Sequence, residues 1–470
     1  MSLNRLFQIV VAEEVSSGVA VASLVASGNV PNYGIADPAA SFSPESYTRD
    51  VLRGSLTPTS PIQGATGGTI SFRVELTGHT DTPDWYLLLQ AAGMHATTYN
   101  VGTPGTITVA PAFFAGETVD WAGGGTSTVL TDTYNGDTEI FLGDNAGTRT
   151  GAITGRSSGA VCTPGTMTAD GNGFIPYSRE EISIPFGTLN GAFAADSIGV
   201  GETSGTVVQF LAAVGASPAS ARILAGGPLS AAETISDPAD PGTNNIDKNG
   251  AQNQTNIPSL SMALIEDGRY KQFRGCRGSV SLTGEIGQPM FLNFEFSGAF
   301  EAAGSSGPFT VASTAVVPPA LRGITFRVGS DDAAYDTRAE EVTPCINSLT
   351  VDLGNTASPR KCMDNTAGII DYHLTARAPT LSIDPEVSAE AFFPFINDMV
   401  NGVPFRTNIQ WGTITGARFL LDIPAAQVTS ESVGDRDGIA TSELQAVLSG
   451  KLPGGGDGVN REFTLLHRTA

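Results

Sequence analysis

The sequence predicts a mainly β protein, and three observations carry that expectation. Turn residues interrupt the 470-residue chain throughout, with 56 Gly and 28 Pro, and β-branched runs fill the intervals between them. Several runs alternate apolar and polar residues, the period of two that gives a strand one buried and one wet face. Helical periodicity is confined to two short stretches.

Taken in order, Leu6–Ala12 is apolar, meets Glu13 and Glu14 at once and shows no processing site, so it reads as a first strand and not a signal peptide. A strand is expected near 48–56 and another over 68–78, where Ile70, Phe72, Val74 and Leu76 alternate with Ser71, Arg73 and Glu75. Pro83 opens a helix with Thr82 as its cap and Gly93 as its stop. Trp85, Leu88, Leu89 and Ala92 form its apolar stripe. Between 101 and 256 the composition shifts to Gly, Ala, Ser and Thr with little Lys or Arg. Here Phe114–Val119 and Thr126–Leu130 resemble Phe193–Ile198 and Ser204–Val208, two short β-rich repeats, and Asp237–Asn245 reads as a linker. Val280 and Leu282, then Met290, Leu292, Phe294 and Phe296, alternate across a Gly287-Gln-Pro289 turn and predict a hairpin. Further strands are expected at 346–353, 368–383, 404–412 and 416–423. A second helix starts at Asp384-Pro385, carries Val387, Ala391, Phe395 and Met399, is kinked by Pro394 and stops at Gly402.

This order repeats as β–β–α–β–β, which predicts two copies of one unit. The expected division is a first domain at 1–100 and 257–315, an inserted β-rich region at 101–256, and a second domain at 316–470.

Composition excludes several functions. With 25 Lys+Arg against 47 Asp+Glu the formal net charge is −22, which rules out a binder that neutralises phosphates. No run approaches the ~18 apolar residues of a membrane span. Cys162, Cys276, Cys345 and Cys362 show no CxxC spacing and read as free thiols of a reducing cytosol. Gly155-Arg-Ser-Ser-Gly159 matches the nucleophile-elbow pattern, but no helix pattern follows Ser157 and a turn is the favoured reading. In Asp435-Arg-Asp-Gly438 the carboxylate of a calcium loop is out of register, since Glu443 comes one residue early, so a solvated turn is expected. His79, His95, His373 and His467 show no ligand spacing. Gly450-Lys451 lacks the glycine of a P-loop, and Asn253-Gln-Thr255 matters only to a secreted chain. No catalytic residue, metal or cofactor is assigned.

Asp267–Leu282, with its Arg-Gly-Cys-Arg-Gly run, followed by Gly287–Gly298, resembles the tail tube (major tail) proteins of long-tailed bacteriophages. Glu13–Gly34, Gly68–Gly78 and the Pro83–Gly93 helix resemble that family too, and 349–355, 377–379 and 434–438 look like parts of a second tube domain. The insertion lies outside the resemblance. The resemblance implies β-sandwich or half-barrel tube domains, each flanked by a short helix. Six such domains form a ring, so two per chain imply trimers, and stacked rings enclose a DNA channel. It implies a virion protein made in the host cytoplasm. Its partners would be copies of itself, a tape-measure protein and other tail proteins, with DNA passing unbound and no membrane contact. The alternatives are a tail-tip or head-proximal component, a secreted adhesin or carbohydrate-binding protein, or a hydrolase using Ser157.

The polar strand faces supply candidate channel-lining residues: Arg73, Glu75, Ser281, Thr283, Asn293, Glu295, Thr350, Asp352, His373 and Thr375. An acidic or neutral wall is expected, because the Debye length is about 8 Å at physiological salt and a basic wall would hold DNA through counterion release. The insertion is expected to project outward and to be dispensable for ring formation.

Overall fold

A computed structural model describes residues 7–469 except 16, 22–23, 25–34, 50–59, 80–84, 105–112, 134–136, 144–148, 157, 177–180, 185–187, 191–197, 202–206, 211–218, 226–233, 237–256, 267, 306–316, 331–343, 388–394 and 450–461. The chain is mainly β. It divides into two compact units, one of residues 1–176 with 259–470 and the other of 177–258.

The smaller unit holds β11 (Glu181–Ile184), β12 (Thr188–Asn190), β13 (Ile198–Gly201), β14 (Val207–Phe210), β15 (Ala219–Ala225) and β16 (Thr234–Ser236). They form one sheet in the order β11-β15-β14-β13-β16-β12.

The larger unit begins with β1 (Phe7–Glu13), β2 (Ile35–Tyr47), β3 (Ile62–Glu75), α1 (Tyr86–Ala91) and β4 (Met94–Pro104). A lobe follows with β5 (Thr118–Trp121), β6 (Thr126–Thr128), β7 (Ile140–Gly143), β8 (Ile153–Gly155) and β9 (Val161–Cys162), and then β10 (Pro164–Pro176). After the smaller unit come β17 (Leu260–Glu266), β18 (Arg269–Glu285), β19 (Phe291–Ser305), β20 (Thr325–Ser330) and β21 (Ser348–Asp352). The rest is β22 (Asn355–Lys361), β23 (Ile369–Arg377), β24 (Thr380–Ile383), α2 (Phe395–Asn401), β25 (Phe405–Ile414), β26 (Ala417–Arg436), β27 (Ile439–Leu448) and β28 (Thr464–Arg468).

One sheet runs β2-β3-β19-β18-β21-β24-β27-β26-β28-β10-β4-β7. Its order contains a repeat. The group β2-β3-β19-β18 has the same plan as β21-β24-β27-β26: a first strand, the strand that precedes the helix, then the third and second strands of a meander. The meanders are β17–β18–β19 and β25–β26–β27, antiparallel throughout. A β–β–α order followed by a three-stranded meander is therefore present twice, with β2 at 35–47 as its first strand where the expectation placed one near 48–56, and β18 pairs directly with β21 to join the copies.

Both helices stop as the sequence predicts. Gly93 and Gly402 carry φ of 83° and 68°, conformations that a side chain resists. Trp85 and Leu88 are fully buried, and Trp85 Nε1 donates to Thr77 O at 3.1 Å. Asp384–Val387 are not helical, so α2 does not start at Asp384-Pro385 as expected; its described part is Phe395–Asn401, and residues 388–394, with Pro394, lie outside the described residues. Most of the strand expected at 48–56 lies outside them too. The 416–423 strand extends to Arg436 and the 68–78 strand starts at Ile62.

Two domain boundaries need correction. The break expected at residue 101 falls at 177, because β10 pairs with β4 and with the C-terminal β28, which binds residues 164–176 into the main sheet. The two short repeats of the inserted region thus fall in different units. The two expected tube domains are not separate bodies either. One core takes Phe72, Val74, Leu282 and Phe294 from the first copy and Leu381, Phe405, Leu421 and Leu444 from the second. Strand pairing across β18 and β21 leaves no surface between the copies to divide them.

Candidate functional site

Cross-strand register carries the polar face through both copies. One row reads Arg73, Asn293, Ser281, Asp352, Thr380, Val447 and Gln427. A second reads Glu75, Phe291, Thr283, Thr350, Ser382, Gln445 and Ser430. Between them lies the core-facing row of Val74, Leu292, Leu282, Val351, Leu381, Ala446 and Val428. Glu295 pairs with Ser71 and Ser279 one step further along. Arg73, Glu75, Ser281, Thr283, Asn293, Glu295, Thr350 and Asp352 therefore share one continuous face.

The face is polar and mostly acidic. In these polar rows the charged residues are Arg73, Glu75, Glu295 and Asp352. Arg73 pairs with Asp37 at 2.9 Å and lies 4.9 Å from the Phe291 ring centroid. Both partners of the ion pair are well exposed, so the bond adds little stability but offsets the one cation of the rows. Asn293 Nδ2 donates to Thr283 Oγ1 at 3.0 Å and to Ser281 Oγ at 3.3 Å, tying three face residues together. Asp352 Oδ1 accepts from Gly354 N–H at 2.9 Å. A groove of about 510 Å³ runs along this face past Asp37, Arg73, Ser281, Asn293, Glu295 and Asp352.

His373 and Thr375 are elsewhere. The run 368–383 reads as one strand, but the chain breaks it at Ala378-Pro379, where Pro379 has no N–H to donate. Gly354, with φ 60°, turns the partner strand at the same level. The outer halves then form the separate ribbon β22–β23. On it His373 Nε2 lies 3.3 Å from Asp371 Oδ1, and Thr375 Oγ1 lies 3.1 Å from Ser358 Oγ. Alternation counted through the break assigns them to a face they do not share.

The Arg-Gly-Cys-Arg-Gly run anchors this ribbon. β18 bulges between Arg274 and Arg277, and Gly275 has φ 61°. The bulge aims both guanidinium groups at β23. Arg277 Nη1 donates to Tyr372 O at 2.7 Å and lies 3.5 Å from Asp371 Oδ2. Arg274 donates to Gly18 O at 2.6 Å and to Asn365 Oδ1 at 2.7 Å. Glu14 accepts from Gly18 N–H and Gly275 N–H, each at 2.8 Å, which sews the N-terminal loop into the joint. Burial pushes the Asp371 carboxyl up, but hydrogen bonds from His373 and Ser17 and the Arg360 charge outweigh it and hold it down to about 2. The arginines are legible in sequence as a motif. Asp371 and Glu14 are not, because each lies about a hundred residues or more from the bulge.

The remaining motifs resolve into turns. Gly159 N–H donates to Gly155 O at 3.0 Å, and Ser158 Oγ donates to Glu117 at 2.9 Å. Strand β9 follows this turn, so the helix that a nucleophile elbow needs is missing from its place. Ser157 itself lies outside the described residues. Asp435–Gly438 closes the β26–β27 hairpin, with Asp437 and Gly438 at φ 53° and 87° and Gly438 N–H on Asp435 Oδ1 at 3.1 Å. No family model matches the chain, and no curated protein matches its sequence.

Proposed function

We propose that the chain is a ring-forming structural subunit, the tail tube protein of a long-tailed bacteriophage, with the eight-residue polar face lining the channel. One observation carries this reading: the two copies are joined edge to edge, and the array they form is open at both ends. Among the described residues β2 pairs only with β3, and β26 beyond Ala426 pairs only with β27, on one side. By ladder equivalence, the open edge of β26 near Val428 corresponds to the β18 edge near Leu282 that receives β21, and β2 corresponds to β21. The junction inside one chain is thus a template for the junction between chains. Unpaired edges favour association with another strand, and a heterologous contact of this kind closes into a ring when its rotation permits.

The acidic rows suit a wall past which a polyanion slides, since a basic wall would bind it. On this reading three chains make one ring. Rings stack along a tape-measure protein in the virion tail, and DNA passes without specific binding. Negative-stain class averages and mass photometry of the purified protein test the assembly. Rings of three chains with sixfold appearance are expected. A chain that stays monomeric at high concentration, or rings of six chains, overturns the reading. Glu75→Lys, Glu295→Lys and Asp352→Lys together test the wall, with intact rings and slowed DNA ejection as the expected result.

A further inference from the structure

The two copies end their helices against different surroundings. Aligned on the stop glycines, Leu87 and Ala91 of α1 match Ile396 and Val400 of α2. Ala91 is fully buried and Leu87 half-buried, whereas Val400 is 75% and Ile396 48% exposed. The second copy closes the end of α1. Asn355, just past Gly354, donates from Nδ2 to Ala92 O at 2.6 Å and to Gly278 O at 3.0 Å. Leu374 lies beside it: a Cβ added at Gly93 would come 2.9 Å from Leu374 Cδ1 and 3.2 Å from Asn355 Nδ2. A Cβ added at Gly402 would meet only Gln427 Nε2, at 3.5 Å, among the described residues.

Gln427 belongs to the stretch of β26 whose second side is open among the described residues, and Gly278 leads into the matching stretch of β18, which receives β21. The strand equivalent to β21 is β2. Ile35 and Ala36 stand opposite Val74 and Arg73 as Val351 and Asp352 stand opposite Leu381 and Thr380. Each chain segment then passes one residue at positive φ, Asp37 at 49° in a bulge of β2 and Gly354 at 60° after β21. Three positions along the partner strand, Ala40 stands opposite Ile70 as Asn355 stands opposite Arg377. Ala40 therefore holds the place of Asn355.

The chemistry changes in step on both sides of the joint. At α1 a polar side chain, Asn355, meets a backbone carbonyl next to small Ala91. At α2 the helix offers the apolar Val400 and Ile396, one turn apart, and the matching stretch of β2 is Pro38-Ala39-Ala40. We propose that Val400 and Ile396 form a docking seat for residues 35–40 of a second copy, so that the end of α2 is completed between chains as the end of α1 is completed within one. The seat rests on the ring reading above and gives it a side-chain contact beyond the strand edge. A bare edge accepts many strands. An apolar seat beside it fixes which strand arrives and in what register, because register follows the burial of apolar side chains.

A photo-crosslinking residue placed at position 400 of the full chain, with isotopically light and heavy copies mixed before assembly, tests the seat. Light–heavy peptide pairs joining position 400 to residues 35–42 are expected. Crosslinks confined to single copies overturn the seat. Crosslinks between copies that land elsewhere, on intact rings, overturn the seat and leave the ring reading standing, whereas a native chain that stays monomeric overturns both. Val400→Glu is the second arm. Its thermal midpoint should match the native one, since the side chain is exposed in the single chain. Its association should weaken at least about tenfold, because the contact would bury an unpaired charge. Rings of native strength from Val400→Glu refute the seat.

Discussion

In the first repeat the hairpin β2–β3 stays in the sheet, with β3 paired to β19 from Gly67 to Glu75. In the second repeat the equivalent hairpin keeps only its inner half, β21–β24, in the sheet, and its outer half leaves as β22–β23. The difference lies at the break: Pro379 and Gly354 interrupt the two strands at one level, where Ala378 N–H donates to Gly354 O at 3.1 Å. The outer ribbon is then held by the arginine bulge of the first repeat. A repeated sequence pattern can therefore reach different tertiary ends when local breakers interrupt one copy.

Breaking the anchor should have the largest effect. Asp371→Asn removes the carboxylate 3.5 Å from Arg277, which is 2% exposed, and should cost about 3–5 kcal/mol. Denaturant unfolding measures it, and exchange over 355–377 should rise while the β2–β3 hairpin stays protected. Comparable loss of protection in both hairpins would show that the bulge does not act on the ribbon alone. Trp85→Ala, which empties the α1 contact with Phe174 at 5.2 Å, should also cost about 3–5 kcal/mol. A near-native thermal midpoint would contradict the helix's role as an anchor.

His467 connects the repeats through the first helix. Its ring lies 5.7 Å from Trp85 and 5.2 Å from Phe419, and Nδ1 is buried with no hydrogen-bond partner among the described residues. Burial, with His79 nearby, holds the imidazole down to about 4 despite the Gly416 carbonyl. The unfolded chain takes up this proton below about 6.5 and the folded chain only below about 4, so stability is full above the first value and falls through the window by about 3 kcal/mol. A pH series of unfolding free energies should show that slope, and His467→Gln should flatten it. A variant with the native slope would assign the pH dependence to other groups.

The smallest contrast compares two glycines of the first meander. Gly287, at φ 79° in the β18–β19 turn, has open space where a Cβ would sit, so Gly287→Ala should cost only the backbone strain, about 1–2 kcal/mol. At Gly275 an added Cβ would lie 2.6 Å from Asp371 Cα. Gly275→Ala should therefore cost more and loosen the ribbon. Equal costs for the two would mean that the bulge and β23 are less tightly apposed.

Local chemistry determined much of this molecule. Alternation in Ile70–Leu76 and Met290–Phe296 fixed which face each strand buries, because a period of two admits one assignment as long as the strand is unbroken. Gly93 and Gly402 set the helix ends, and the strand–helix order made the repeat visible. Eight of the ten face residues follow from the same counting. Tertiary structure decided the rest. The count fails at His373 and Thr375 because the chain breaks at Ala378-Pro379 and the outer half pairs away as the ribbon β22–β23. Glu14 and Asp371 on the bulge depend on approaches across about a hundred residues or more. No local pattern records such approaches, because the energy that selects them arises only when distant groups are buried together.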